Sequence, residues 1–275
     1  SNNGLTAISI TNELLCLMRD SGCVGFRIGV ESGNAALLRK MGKPANLQQL
    51  RKVGKMLNGF PEMFLGAYYI IGMFGSETFG EMMETFRFSS EICLDWASFA
   101  TFQVTSKTTT VTGELSPEAK VGGNFIPSRA DVNRELADIE GVAVGKEIFE
   151  LPEDLIPSFK QIKEIWFGFN LVANYINNKN LKEGGRPEKF VAWIEAIRIA
   201  HLQNPYMSLF AGLGHRLIGN SQSAERHIAY TRNILKESKY WSDRFAQFGL
   251  TELVINFPKD VEETKEAMAI LRRGY

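Results

Sequence analysis

Two short stretches combine side chains and backbone in patterns suited to holding a small molecule. In Val30-Glu31-Ser32-Gly33 a carboxylate and a hydroxyl leave an apolar run together, a pairing that suits a ribose diol or an amino group. In the stretch from Ile70 to Thr78, Gly72 and Gly75 let backbone approach a flat ligand, so that N–H and C=O groups could read an adenine edge. Each also has a plain structural account. Glu31 and Ser32 suit the first turn of a helix, and Gly72, Gly75, Ser76 and Glu77 suit a turn followed by a helix cap. A third stretch, Thr101-Phe102-Gln103-Val104, ends another apolar run, with Phe102 read as buried strand.

The remaining reactive residues are scattered. Cys16, Cys23 and Cys93 form neither a disulfide framework nor a Cys-x3-Cys-x2-Cys triplet, and structural roles are expected for them. His201, His215 and His227 fall on predicted helices without His-x3-His spacing or a paired carboxylate, so no metal site is expected. Trp166, Phe167, Phe169 and Tyr175 have helical spacing and are read as core, and Arg39 and Lys43 as solvated charges.

The elements that must position these groups alternate. Thr11 caps a helix that stops at Ser21-Gly22 before a strand over Val24 to Val30. A short helix over Asn34 to Met41, closed by Gly42, precedes a second helix capped by Asn46 and ending at Asn58-Gly59. Strands over Met63 to Ile71 and Ala97 to Val104 flank a helix over Thr78 to Leu94. Apolar strands separated by helices call for a parallel sheet, and parallel α/β sheets gather ligands at the strands' C-terminal ends. Fold class α/β, with three βα steps, follows.

The two motif stretches in register resemble the radical S-adenosylmethionine (radical SAM) superfamily. Gly-Val-Glu-Ser-Gly with Leu-Leu-Arg-Lys-Met-Gly-Lys, then Ile-Ile-Gly-Met-Phe-Gly-Ser-Glu-Thr, is most similar to the branch whose members often carry a cobalamin-binding domain. The resemblance implies strands four to six of a TIM-type barrel over Phe26 to Val104. It also implies an iron–sulfur enzyme that cleaves S-adenosylmethionine (SAM) to a 5′-deoxyadenosyl radical. By that likeness Glu31 and Ser32 sit near the ribose and methionine end of SAM. Gly72, Met73 and Phe74 sit at the adenine side, and Gln103 lies where the sixth strand meets cofactor and substrate. The chain departs from the pattern in Met73-Phe74, in the extra Ser76, and in having no cysteine triplet for a [4Fe–4S] cluster. The expectation is a piece of a longer enzyme, inactive alone, with cobalamin a further cofactor of the parent.

Three regions are expected: half a barrel over 1–108, an irregular linker over 109–154, and an all-α domain over 155–275. In the last, helices are predicted over Pro187 to Gln203, Met207 to Ile218 and Ser223 to Ser238, with another beginning at Pro258 or Asp260. Paired helical hairpins there, loosely tetratricopeptide-like, raise a second reading: a protein-interaction module on a vestigial α/β scaffold. A third is an unrelated barrel enzyme binding a sugar phosphate at the Gly72 loop.

Composition bounds all three. Lys plus Arg and Asp plus Glu each number 31 in 275 residues, so a basic nucleic-acid or membrane surface is not expected. No apolar run approaches the ~20 residues that span a bilayer. A small-molecule substrate, cytoplasmic location and a protein partner for the C-terminal helices are the corresponding expectations.

Overall fold

The computed structural model describes residues 4–102 and 141–275. The chain divides into two compact units. The first, here the sheet unit, takes in the N-terminal residues and 150–174; the second, the helical unit, takes in 144–149 and 175–275. Residues 159–174, expected with the helical region, therefore belong with the sheet. Of the linker expected over 109–154, residues up to 140 lie outside the described ones, as does Gln103.

In the sheet unit four strands lie in sequence order, all parallel: β1 (Leu5–Thr6), β2 (Gly25–Glu31), β3 (Phe64–Ile71) and β4 (Trp96–Thr101). The fold is α/β. The helices between them are α1 (Asn12–Asp20), α2 (Ala35–Lys40), α3 (Leu47–Asn58) and α4 (Phe79–Ile92). Their starts follow from local chemistry. Thr11, Asn34 and Asn46 each accept a backbone N–H from the first turn, and Asn46 with Gln49 closes a capping box. Thr78 with Glu81 closes another, so the cap of α4 is Thr78 and not Ser76.

β1 is a strand that the sequence pattern does not reveal, because two residues are too short to show a period. β2 is less uniformly buried than a strand covered on both faces. Phe26, Ile28 and Val30 are buried while Arg27, Gly29 and Glu31 are half-buried. On β3, Tyr68 and Ile70 are also half-buried, and the Arg27 guanidinium lies 5.6 Å from the Tyr68 ring. The sheet thus has one sealed face and one partly open face.

The outer edge of β4 is closed by side chains. In α5 (Phe159–Leu171) and the π-helical turn that follows it (Val172–Ile176), Asn170 and Asn174 stand four apart on one side. The Asn174 carboxamide accepts from Ala97 N at 2.7 Å and donates to Ala97 O at 2.7 Å. The Asn170 carboxamide does the same at Phe99, at 3.2 and 3.1 Å, and Trp166 Nε1 adds a donor to Phe99 O. These amides substitute for a neighbouring strand and leave no unpaired ladder at these two residues. Phe169 reinforces the contact, 4.5 Å from Phe86 and 5.4 Å from Phe99 between ring centres.

The helical unit contains α6 (Pro187–Arg198), α7 (Pro205–Leu217), α8 (Ser221–Glu237), α9 (Lys239–Gln247), α10 (Thr251–Ile255) and α11 (Val261–Arg272). Pro187 and Pro205 occupy first turns, where a missing N–H costs nothing. α6 ends at Arg198, earlier than the predicted Gln203. α7 is buried almost all round, from Pro205 to Arg216, and is the central helix of the unit. Arg272 ties the last helix back by donating to Ile176 O at 2.9 Å and Leu181 O at 2.7 Å.

Candidate functional site

The C-terminal ends of β2 and β3 bring the two motif stretches side by side. Glu31 lies opposite Tyr69 across a bulge in the β2–β3 pairing. Backbone conformation is unusual at both loops: Glu31 (φ 71), Gly72 (φ 74), Phe74 (φ 60) and Gly75 (φ 64) all occupy the left-handed region. For the two non-glycine residues that conformation costs of order 1–3 kcal/mol each, and such residues concentrate at functional positions. The Glu31 carboxylate folds back over Gly29, whose missing Cβ leaves room for it, and pairs with Lys43 Nζ at 3.0 Å. Lys43, expected to be a solvated charge, is therefore the partner of the candidate carboxylate.

The other candidates divide between rim and core. Ser32 is fully buried, its hydroxyl 3.1 Å from Thr85 Oγ1 of α4, and it accepts from Asn34 N at 3.0 Å. Gly33 N also donates to Thr85, and a Cβ at Gly33 would lie 2.5 Å from Phe88 Cβ and 2.6 Å from Glu84 O. Ser32 and Gly33 thus lock the loop to α4. Met73 and Phe74 are buried with Leu37, and Met41, Ile70 and Phe102 pack against them. Phe74 stands 5.4 Å from the Phe102 ring, with Lys40 Nζ 4.4 Å from the Phe74 ring centre. The phenyl groups form an apolar lid over the strand ends, cation-capped at one side.

Glu77 holds the second loop. Its carboxylate accepts Met73 N at 2.7 Å from a position only 2% exposed. Burial pushes its pKa up to about 8, against the lowering effect of the Met73 N–H and with a further rise from Glu81. Glu77 Oε1 and, at the last residue of β4, Thr101 Oγ1 are buried without a hydrogen-bond partner among the described residues.

The cysteines lie elsewhere. Cys16 is within α1. Cys23 precedes β2 at its N-terminal end with its thiol 3.8 Å from Gly25 O, and Cys93 caps the end of α4 before β4. They do not converge on the strand ends.

In the helical unit two of the histidines, expected to have no paired carboxylate, have one. Glu195 on α6, His215 on α7 and His227 on α8 converge, with their ligand atoms all within 4.8 Å of one another. Glu195 Oε1 lies 3.0 Å from His215 Nε2 and 2.6 Å from His227 Nε2, while Arg198 Nε donates to Oε2 at 2.7 Å. The two imidazoles are stacked at 5.3 Å. Burial tends to raise the pKa of Glu195, but the hydrogen bonds from His215, Arg198 and His227 hold it near about 2. Burial lowers that of His227, only partly offset by Glu195. The carboxylate that sequence inspection lacked comes from a different helix.

No protein-family description, no curated protein and no solved structure matches this chain.

Proposed function

We propose that the sheet unit is the SAM-binding half of a radical SAM barrel, and that the protein carrying it cleaves SAM reductively. The observation that carries this reading is the adjacency of the Glu31 and Gly72–Glu77 loops at the C-terminal ends of two neighbouring parallel strands, both with left-handed backbone. The partly open face of β2 and β3 corresponds to the interior of such a barrel, and the carboxamide-capped edge makes β4 its last strand on that side. Further strands would add beside β1, and in this reading β2 to β4 are strands four to six.

Glu31 is assigned to the ribose hydroxyls, with Lys43 setting its orientation. The adenine edge falls to the backbone of Phe74 and the Gly72 carbonyl, because the backbone N–H groups of Gly72 and Met73 are engaged by Glu77 and Met73 O accepts from Ser76 and Glu77. Ser32 supports the loop from within, and Gln103 follows β4 toward the substrate. A [4Fe–4S] cluster does not fit the cysteines of this chain, which sit in or after helices and before strands, so this reading calls for cluster ligands outside these 275 residues. Members of the branch that the chain resembles often carry a cobalamin-binding domain as well.

Anaerobic reconstitution with iron and sulfide tests the reading. The 275-residue chain is expected to take up no stoichiometric cluster, whereas the protein that includes the preceding sequence is expected to take one up and release 5′-deoxyadenosine from SAM. Glu31→Ala in that protein is expected to weaken SAM binding about 10-fold. A longer protein that binds neither cluster nor SAM would overturn the proposal.

A further inference from the structure

Glu195, His215 and His227 are brought together by three successive helices, so no single segment explains their convergence. The three donors are two imidazole Nε2 atoms and one carboxylate oxygen. An ion held at about 2.0–2.2 Å from each of three such atoms would separate them by roughly 3–3.5 Å. The 3.0 and 2.6 Å separations from Glu195 Oε1 lie at or below that spacing and the two imidazole nitrogens lie within 4.8 Å of each other, so binding calls for side-chain shifts of up to about an ångström.

The surroundings favour ligation over a simple hydrogen-bonded cluster. His215 and His227 are 8% and 7% exposed, while the Glu195 side chain is 33% exposed, which gives one solvent approach to a buried pair of imidazoles. Arg198 engages Oε2 and so turns Oε1 toward the histidines, as outer partners of metal-bound carboxylates do. Among the described residues His215 Nδ1 has no hydrogen-bond partner, and it is buried. In the hydrogen-bonded arrangement His215 uses one ring nitrogen, and coordination at Nε2 would exchange the Glu195 hydrogen bond for a bond to the ion while leaving Nδ1 as it is. The other nearby cation, Arg216, is paired with Glu225.

We infer that Glu195, His215 and His227 form a mononuclear divalent-cation site, with Zn2+ the best-suited ion. Two nitrogens and one oxygen match a borderline metal, and the exposed side at Glu195 leaves a coordination position for water. On binding, the Nε2 lone pairs and Oε1 coordinate the ion, and the two Nε2 protons pass to Nδ1 or to solvent. The site is independent of the SAM reading of the sheet.

Calorimetric titration of the chelator-stripped 275-residue chain with ZnCl2, combined with metal analysis, tests this. The chain carries three free cysteines, so the titration is repeated with Cys16→Ser, Cys23→Ser and Cys93→Ser together. One Zn2+ per chain is expected in both backgrounds, with a rise in melting temperature. Glu195→Gln, which keeps the side-chain size, and His227→Ala are each expected to weaken binding by at least about 100-fold. Circular dichroism checks that both variants fold. Should His227→Ala unfold, Co2+ bound to the cysteine-free chain supplies a second readout, its d–d bands reporting nitrogen and oxygen ligands. Absence of binding, equal binding by Glu195→Gln, or loss of binding in the cysteine-free chain each overturns the inference.

Discussion

The strand-end loops of the sheet unit and the Glu195–His215–His227 cluster are both places where polar groups gather, yet they are built in opposite ways. The loops are local. Each is a run of consecutive residues shaped by left-handed backbone and short-range contacts, as when Glu77 accepts Met73 N, with the first loop further anchored to Thr85 of α4. The cluster is wholly tertiary, its members contributed by α6, α7 and α8. A local site survives small shifts of the surrounding helices but tolerates no change of backbone geometry. A tertiary site has ordinary helical backbone throughout and depends on packing. Substitutions should therefore separate the two regions by what they damage.

The largest separation is expected from Phe169→Ala. Phe169 is fully buried between Phe86 and Phe99, and removing a buried phenyl ring costs about 3–5 kcal/mol. Amide hydrogen exchange should show protection lost across β3, β4 and α4 while α7 and α8 keep theirs. Equal loss in α7 and α8 would break the division into two units.

Glu77→Gln follows in size and is specific to the loop. In the unfolded chain Glu77 ionises near 4.5, whereas in the fold it keeps its proton up to about 8. Between those values the folded protein holds the extra proton, so this group makes stability fall as pH rises. The loss accumulates to on the order of a few kcal/mol above pH 8. Glutamine still accepts Met73 N through its carbonyl and never ionises. Denaturant midpoints measured at pH 5.5 and pH 8.5 should differ less in the variant, with the variant the more stable at pH 8.5. An unchanged pH dependence would mean that Glu77 is already ionised in the fold.

How far each region is legible in the sequence follows from the same contrast. The helices of the sheet unit and β2 to β4 can be read from caps, glycines and apolar runs, because those signals act within a few residues. Ser32 and Met73 are expected as site residues from their motif, but the structure turns both inward, toward Thr85 and Leu37, and only the packing reveals this. The edge cap of β4 is invisible beforehand, since Asn170 and Asn174 act on a strand more than seventy positions away. The histidines are passed over for the same reason. Spacing rules look for two ligands on one helix, and here each helix gives one.

Gly33→Ala probes the rigidity of the local site. A methyl group would meet Phe88 Cβ and the Glu84 carbonyl at 2.5 and 2.6 Å. Neither atom is the free end of a side chain, so α4 or the loop must move, at a cost of about 1–3 kcal/mol. Thermal melts should register the loss, and zinc binding at the cluster should be unchanged. A drop in zinc affinity would show that the two regions are coupled.

The smallest stability effect is expected from Lys43→Met. Its ion pair with Glu31 joins side chains 38% and 17% exposed, and pairs of that kind contribute at most about 1 kcal/mol. Melting temperature should hardly change. What the substitution removes is the restraint on the Glu31 carboxylate, which then loses its fixed direction over Gly29. If Glu31 holds ribose hydroxyls, SAM affinity of the protein that includes the preceding sequence should fall severalfold while stability stays level. A matched loss of both would make the pair a brace for the loop and would remove Lys43 from the binding argument.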